Sequence, residues 1–168
     1  SGVLIAPNTI LTAGHVAKVA SYYKLYINVE GSLYPIIVKK IDYNSDLAIL
    51  TIPGLFGEYA SIASSRPFLY ERVRATGYPI HNNLKSQITT EGKILAQVED
   101  KLITSAVILP GSSGGGLWHM NWFGKFELVG ITVSAPLIPY GFMGLPVFNI
   151  SNSVPVEYIK LFIQNYVN

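Results

Sequence analysis

Along this chain the apolar residues fall in short, β-branched runs separated by turn residues. SGVLIAP leads through Asn8 into TILTAGH, the pattern of a strand pair. KLYINVE alternates apolar and polar positions, as a half-buried strand does. Gly31 and Ser32 turn it back into LYPIIVKKIDY, Asn44 and Ser45 break that strand, and DLAILTI follows. From Pro53 to Tyr70 the periodicity weakens among Pro, Gly and Ser, which marks a crossing linker. The second half is built the same way, with RVRATGYP, KSQITTEG, KILAQVE, KLITSAVIL, GGLWH, FELVGITVS and LPVFNIS as strand candidates. The tail changes period. Val156, Ile159, Phe162, Ile163 and Tyr166 share one face at helical spacing, with Ser153 as N-cap and Pro155 in the first turn. No helical crossovers separate the strands, so the pattern predicts an all-β chain of two small barrels with a C-terminal α-helix. The expected divisions are a first barrel over 1–54, a linker over 55–71, a second barrel over 72–152 and the helix over 153–168.

Composition narrows this picture. Of 168 residues, 49% are hydrophobic and 13% charged, which supplies a packed core and excludes a disordered chain. The net charge is +2 and the 12 basic residues are scattered, Arg66, Arg72 and Arg74 being the nearest thing to a cluster. A nucleic-acid surface needs a denser stripe, so the 11 tyrosines are assigned to strand packing rather than base stacking. The absence of cysteine excludes disulfides, thiolate zinc ligands and a thiol nucleophile. No run approaches the roughly 18 apolar residues of a membrane span. SGVLIAP has neither the basic segment nor the long apolar stretch of a signal peptide. The expectation is a chain that starts inside a larger precursor and is compatible with an intracellular setting, such as a host cytoplasm.

Three segments carry candidate chemistry: Thr12-Ala13-Gly14-His15-Val16, Asn44-Ser45-Asp46-Leu47-Ala48-Ile49-Leu50 and Gly111-Ser112-Ser113-Gly114-Gly115. Each alone has a bland interpretation: a histidine at a strand edge, an aspartate in a turn, a glycine-serine linker. Together they place a base, a carboxylate and a hydroxyl at three strand ends. A serine hydroxyl is a poor nucleophile at neutral pH; it needs a base within reach and a partner that fixes the base's tautomer. Apolar segments flank Ser113 on both sides, VILP before and LW after, which argues for a tight turn rather than a linker. In such a turn the amides of Gly111 and Ser113 can point the same way, as an oxyanion hole.

These motifs resemble those of the trypsin-like serine proteases. TAGHV is similar to their histidine motif, usually Thr-Ala-Ala-His, DLAIL to the strand bearing their aspartate, and GSSGG to their Gly-Xaa-Ser-Gly-Gly nucleophile motif. The flanks agree, and the resemblance covers nearly the whole chain. It implies two six-stranded antiparallel Greek-key barrels with the site between them. It also implies a triad of Ser113 as nucleophile, His15 as general base and acid, and Asp46 as its orienting partner, with Gly111 and Ser113 as oxyanion donors and no metal or cofactor. Asp42 is the rival carboxylate, but it lies inside KKIDYN rather than at the head of an apolar strand. His81 and His119 are expected to be structural or surface residues, and Glu99 and Asp100 to form a hairpin turn with Lys101. Ser112 stands where secreted digestive members carry an aspartate, which puts their activation route in doubt here.

The resemblance also places the primary substrate pocket. Its walls are Val107, Ile108 and Pro110 before the nucleophile, Thr132, Val133, Ser134 and Ala135 on the cleft strand, and about 141–147. None of these is charged, and Val107 stands where trypsin has its selective aspartate, so an apolar or small residue is expected before the scissile bond. The first barrel is expected to lack its first strand, so that residues outside this sequence or a partner segment complete it. The expected partner is otherwise a polypeptide substrate, paired as an added strand against 133–135. The expected role is a processing protease, of a viral polyprotein or phage type ahead of a bacterial one. The alternative is a catalytically silent domain of the same fold that binds protein or RNA.

Overall fold

The computed structural model describes residues 1–22, 26–29, 32–55, 57–79, 86–134, 137–140, 143–146 and 150–167. In the first half, β1 (Val3–Ala6) and β2 (Thr9–Ala13) form a hairpin whose turn holds Asn8 at φ 60°, a left-handed value that Asn tolerates. Helix α1 (Gly14–Tyr22) follows directly, then β3 (Tyr26–Val29), β4 (Ser32–Pro35), β5 (Ile37–Asp42) and β6 (Leu47–Thr51). Strands β1, β2, β6 and β5 pair in that order as an antiparallel sheet, and β3 pairs with β4 as a separate ribbon. Among the described residues this half is therefore an open four-stranded sheet plus a hairpin.

The second half closes on itself. Strands β7 (Arg72–Gly77), β8 (Ile88–Val98), β9 (Lys101–Thr104), β10 (Gly116–Met120), β11 (Phe126–Ser134) and β14 (Ser151–Pro155) make a six-stranded barrel in the order β10-β11-β14-β9-β8-β7. The ribbon of β12 (Leu137–Tyr140) and β13 (Met143–Pro146) stands apart from it. Helix α2 (Val156–Val167) leaves β14 without a loop. The architecture is all-β with a C-terminal helix, as expected.

Alternation along the central strands explains the near-continuous apolar runs in the sequence. In β2, Ile10 joins one core with Ala48, Leu50 and Ile52, while its neighbours Leu11 and Ala13 join another. In β6, Ala48 and Leu50 go to the first core and Leu47 and Ile49 to the second. The second core lies between the halves, because Leu128, Ile131 and Val133 of β11, Val154 of β14, and Ile159 and Phe162 of α2 complete it. Both faces of β2 and β6 are thus dry. Full burial of such side chains contributes roughly 1.5–3 kcal/mol each, so the two halves are packed together rather than loosely tethered. The segment between them is pinned to both: Ala60 N–H donates to Leu4 O at 2.8 Å, and Leu128 N–H to Ser61 O at 2.8 Å.

Four local expectations change. The stretch after His15 is a nine-residue helix that the strand pattern did not predict. LYPIIVKKIDY is two strands, β4 and β5, rather than one. KSQITTEG and KILAQVE share one 11-residue strand, β8. Gly92 lies inside it because the chain crosses closely there: a Cβ would meet Ala106 Cα at 2.7 Å. Finally, Ser153 is not a helix cap. It lies in β14 opposite Leu102 and Thr132, fully buried, and α2 begins only after Pro155.

Candidate active site

The histidine and the carboxylate meet at the start of α1. Asp46 follows a tight turn before β6 and holds φ 52°, a sparsely populated value for a residue with a side chain. From there its carboxylate reaches the first turn of α1, whose N–H groups lack intrahelical partners. Oδ1 accepts the His15 backbone N–H at 2.8 Å, and Oδ2 lies 2.8 Å from His15 Nδ1. The Asp46 carbonyl accepts the Gly14 N–H at 2.9 Å. One aspartate therefore caps the helix, where negative charge is favoured, and orients the imidazole. Gly14 has no room for more: a Cβ would stand 3.1 Å from Asp46 Oδ1. The His15 side chain is 51% exposed, so its remaining ring edge faces the groove.

Asp42 is occupied elsewhere. Its Oδ1 accepts the Asn44 N–H at 3.0 Å and its Oδ2 the Ser45 hydroxyl at 2.7 Å. The Ser45 hydrogen bond is the main cause that holds its carboxyl below the ordinary range, with the Asn44 N–H adding to it. The rival carboxylate thus builds the turn that delivers Asp46. His119 sits on the outer barrel 3.4 Å from Glu71, and Glu99 and Asp100 join β8 to β9 where Val98 pairs with Lys101. His81 lies outside the described residues.

The serine lies on a turn held by bonds on every side. Ser112 N–H closes back onto Leu109 O at 2.9 Å, and Gly111 has φ 92°. With proline second and a positive-φ glycine third, Leu109–Ser112 is a type II turn. Gly114 N–H donates to Thr132 O at 2.7 Å, and the Thr132 hydroxyl donates to Ser112 O at 3.2 Å. A peptide's C=O and N–H point in opposite directions. Because Ser112 O is held inward by Thr132, the Ser113 N–H faces away from the barrel. Among the described residues, neither the Gly111 nor the Ser113 amide donates to a protein acceptor. Gly114 packs against the segment leading to His15; a Cβ there would fall within contact distance of Thr12 Oγ1 and 3.1 Å from Ala13 N.

The Ser113 hydroxyl donates to the Val133 carbonyl at 3.1 Å; among the described residues no hydrogen bond joins it to His15. Val133 also lines a groove of about 660 Å³ with His15, Asp46, Ser134, Val154 and Tyr158. The end of β11 thus shares a groove with the histidine–aspartate pair and is hydrogen-bonded to the serine.

The expected pocket walls divide. Ser134 is exposed and lines the groove, and Pro110 is exposed beside the turn. Thr132 and Ile108 have buried side chains: Thr132 braces the serine turn, and Ile108 belongs to the barrel core with Val73 and Leu117. Val107 and Ile108 instead line a void of about 10 Å³ with Ala75 and Thr76. Ala135 lies outside the described residues, as do 141–142 and 147.

Comparison with known proteins agrees with this architecture. Residues 1–131 match the family described as Trypsin-like peptidase domain. Over 99% of its length the chain is similar to the serine endoprotease from Yersinia pestis, with a TM-score of 0.78 and 27% identity. It spans 56% of that protein's chain. The inactive form of the Rv3671c protease shares the fold at a TM-score of 0.78 and 18% identity, covering 98% of this chain and 82% of its own. The active form of that protease, from M. tuberculosis, matches at 0.77 and 20% identity over 95% of this chain and 69% of its own. These relatives are bacterial, and they lend nothing to a viral assignment. With more than half its length matched by the family model, the chain belongs to the family of trypsin-like peptidase domains.

Proposed function

We propose that this chain hydrolyses peptide bonds through Ser113, His15 and Asp46, with the Gly111 and Ser113 amides as the oxyanion donors. The observation that carries the reading is the pair of hydrogen bonds that the Asp46 carboxylate accepts from His15. With Nδ1 turned to Oδ2 at 2.8 Å, the imidazole is left with Nε2 as its basic nitrogen. The Ser113 hydroxyl turns from the Val133 carbonyl toward that nitrogen, gives up its proton and adds to the scissile carbonyl. The oxygen that gains charge sits against the two unpaired amides. His15 then returns the proton to the leaving amine as the C–N bond breaks. Water, deprotonated by the same nitrogen, cleaves the acyl ester and restores the serine. Asp46 stabilises the imidazolium in each half of the cycle.

The substrate backbone adds to the exposed end of β11, and a small or apolar side chain precedes the scissile bond. What favours this is the uncharged character of Pro110, Val133 and Ser134 near the serine. The similarity to an endoprotease of Yersinia pestis favours a bacterial type of protease over polyprotein processing. In the described part of the first half, β1 and β5 each pair on one side only, and a further segment adding at either edge fits that geometry. The test is digestion of a peptide library read by mass spectrometry. Cleavage after Ala, Val, Leu or similar residues, lost in Ser113→Ala, is expected. Strong selection for Arg, Lys, Glu or Gln refutes the pocket assignment, and no cleavage by folded protein favours a silent binding domain.

A further inference from the structure

The oxyanion turn has a weak point. Type I and type II turns differ by a flip of the central peptide, here Pro110–Gly111, whose N–H is the Gly111 donor. The flip decides whether that N–H faces a bound carbonyl or turns away from it. The Pro110-Gly111 pair favours the φ of 92° that Gly111 holds, but it does not fix where the turn stands relative to the nucleophile. Something outside the turn must hold it.

Ser1 is in that place. Its Oγ accepts the Tyr78 N–H at 2.8 Å, just beyond the end of β7. The same Oγ donates to the Gly111 carbonyl at 3.1 Å. The Ser1 nitrogen donates to the Ser113 carbonyl at 2.8 Å, a bond that an ammonium or a peptide amide makes equally well. The Ser1 carbonyl accepts the Thr12 hydroxyl at 2.6 Å. Ser1 is thus bonded to the oxyanion turn, to the nucleophile residue, to the second barrel and to the strand that leads to His15. Gly77 lets the serine turn lie close against the end of β7, since a Cβ there would stand 2.7 Å from Ser112 Cβ.

We infer that the Ser1 hydroxyl is a positioning residue for the reaction proposed above: it ties the Gly111 carbonyl to the Tyr78 amide and so fixes where Gly111, and with it the Gly111 N–H, stands relative to the Ser113 nucleophile. The Gly111–Ser112 peptide is then fixed at both ends, by Ser1 at its oxygen and by Leu109 at its nitrogen. That role requires one small group that donates and accepts at once. A hydroxyl does both. Alanine does neither, and it also leaves the Tyr78 N–H without its partner.

The inference rests on the proposed function, and the experiment separates the two. The rate of covalent labelling by a fluorophosphonate probe is measured for the wild type and for Ser113→Ala, Ser1→Ala, Ser1→Cys and Ser1→Thr, with melting temperature recorded for each. Loss of one oxyanion donor outright costs on the order of 10²–10³ in rate. Loss of its brace is expected to slow Ser1→Ala by roughly 10–100-fold, within that bound. Ser1→Thr is expected to recover most of the rate and Ser1→Cys to fall between. On any cleaved peptide the loss should appear in kcat with KM unchanged, and the pH profile should keep its midpoint. A Ser1→Ala rate equal to wild type overturns the inference. So does a Ser1→Thr rate as low as that of Ser1→Ala with equal loss of melting temperature, which assigns the effect to packing. A folded wild type that takes no label removes the proposed function, and the inference with it.

Discussion

Gly114 and Gly124 make a matched pair for testing how the serine turn is seated. Both have positive φ, 85° and 74°, and alanine at either is strained by roughly 1–2 kcal/mol. Their surroundings differ. At Gly124, in the exposed turn between β10 and β11, an added Cβ meets nothing within 4 Å. At Gly114 it falls onto Thr12 Oγ1 and the Ser1 carbonyl and approaches Ala13 N at 3.1 Å. Two of those obstacles are backbone atoms of neighbouring chain segments, so no side-chain rotation relieves them. Overpacking of this kind costs about 1–3 kcal/mol beyond the strain. Gly114→Ala should therefore lose about 2–5 kcal/mol in all, against a total stability of roughly 5–15 kcal/mol for an ordinary domain. Urea unfolding followed by tryptophan fluorescence measures both. Where Gly114→Ala remains folded, its peptidase activity should drop as well, because relief of the clash moves Ser113 away from the strand that leads to His15. Gly124→Ala should be fully active. Equal destabilisation of the two variants, or full activity in Gly114→Ala, refutes the close seating of the turn.

Asp46→Asn keeps the side-chain shape but offers an N–H where a carboxylate oxygen stood, which favours the wrong imidazole tautomer. Its kcat should fall by about four orders of magnitude, measured by peptide hydrolysis at neutral pH, with a modest loss of stability from the weakened helix cap. Asp42 predicts a pH effect. Its carboxyl is held low chiefly by the Ser45 hydroxyl, so this stabilisation is complete above the ordinary aspartate pKa and is lost as pH falls through the depressed one. Ser45→Ala should be less stable than wild type at neutral pH, with the gap closing in acid. A gap that stays constant across that range contradicts the assignment.

The three motif segments were legible because their geometry is largely local: Asn44 and Ser45 form the turn before Asp46, and Pro110-Gly111 sets the turn before Ser113. The near-continuous apolar runs likewise marked β2, β6 and β11. What escaped the sequence depends on partners far along the chain. Helix α1 is capped by Asp46, 31 residues away, so nothing within GHVAKVASY announces it. Gly92 falls where two separate strand candidates meet in the sequence, although its role is to admit the backbone of Ala106 beside a continuous strand. Ser153 satisfied the local rule for a helix cap, yet β14 pairs with both β9 and β11, and closing the barrel overrides capping. Thr132 was placed in the cleft because it lies on the cleft strand; only the fold shows its hydroxyl turned under the serine. The contacts of Ser1 with Gly111 and Tyr78 join positions 110 and 77 residues apart, beyond any local pattern.

The central claim is that Ser113 is a nucleophile activated by His15. The direct measurement is the site and rate of adduct formation with diisopropyl fluorophosphate, mapped by peptide mass spectrometry. One adduct per chain on Ser113 is expected, absent in Ser113→Ala and formed at least a hundredfold more slowly in His15→Ala, in keeping with the roughly 10²–10⁴ contributed by a general base. An adduct on another residue, or folded wild-type protein that stays unmodified, contradicts the account.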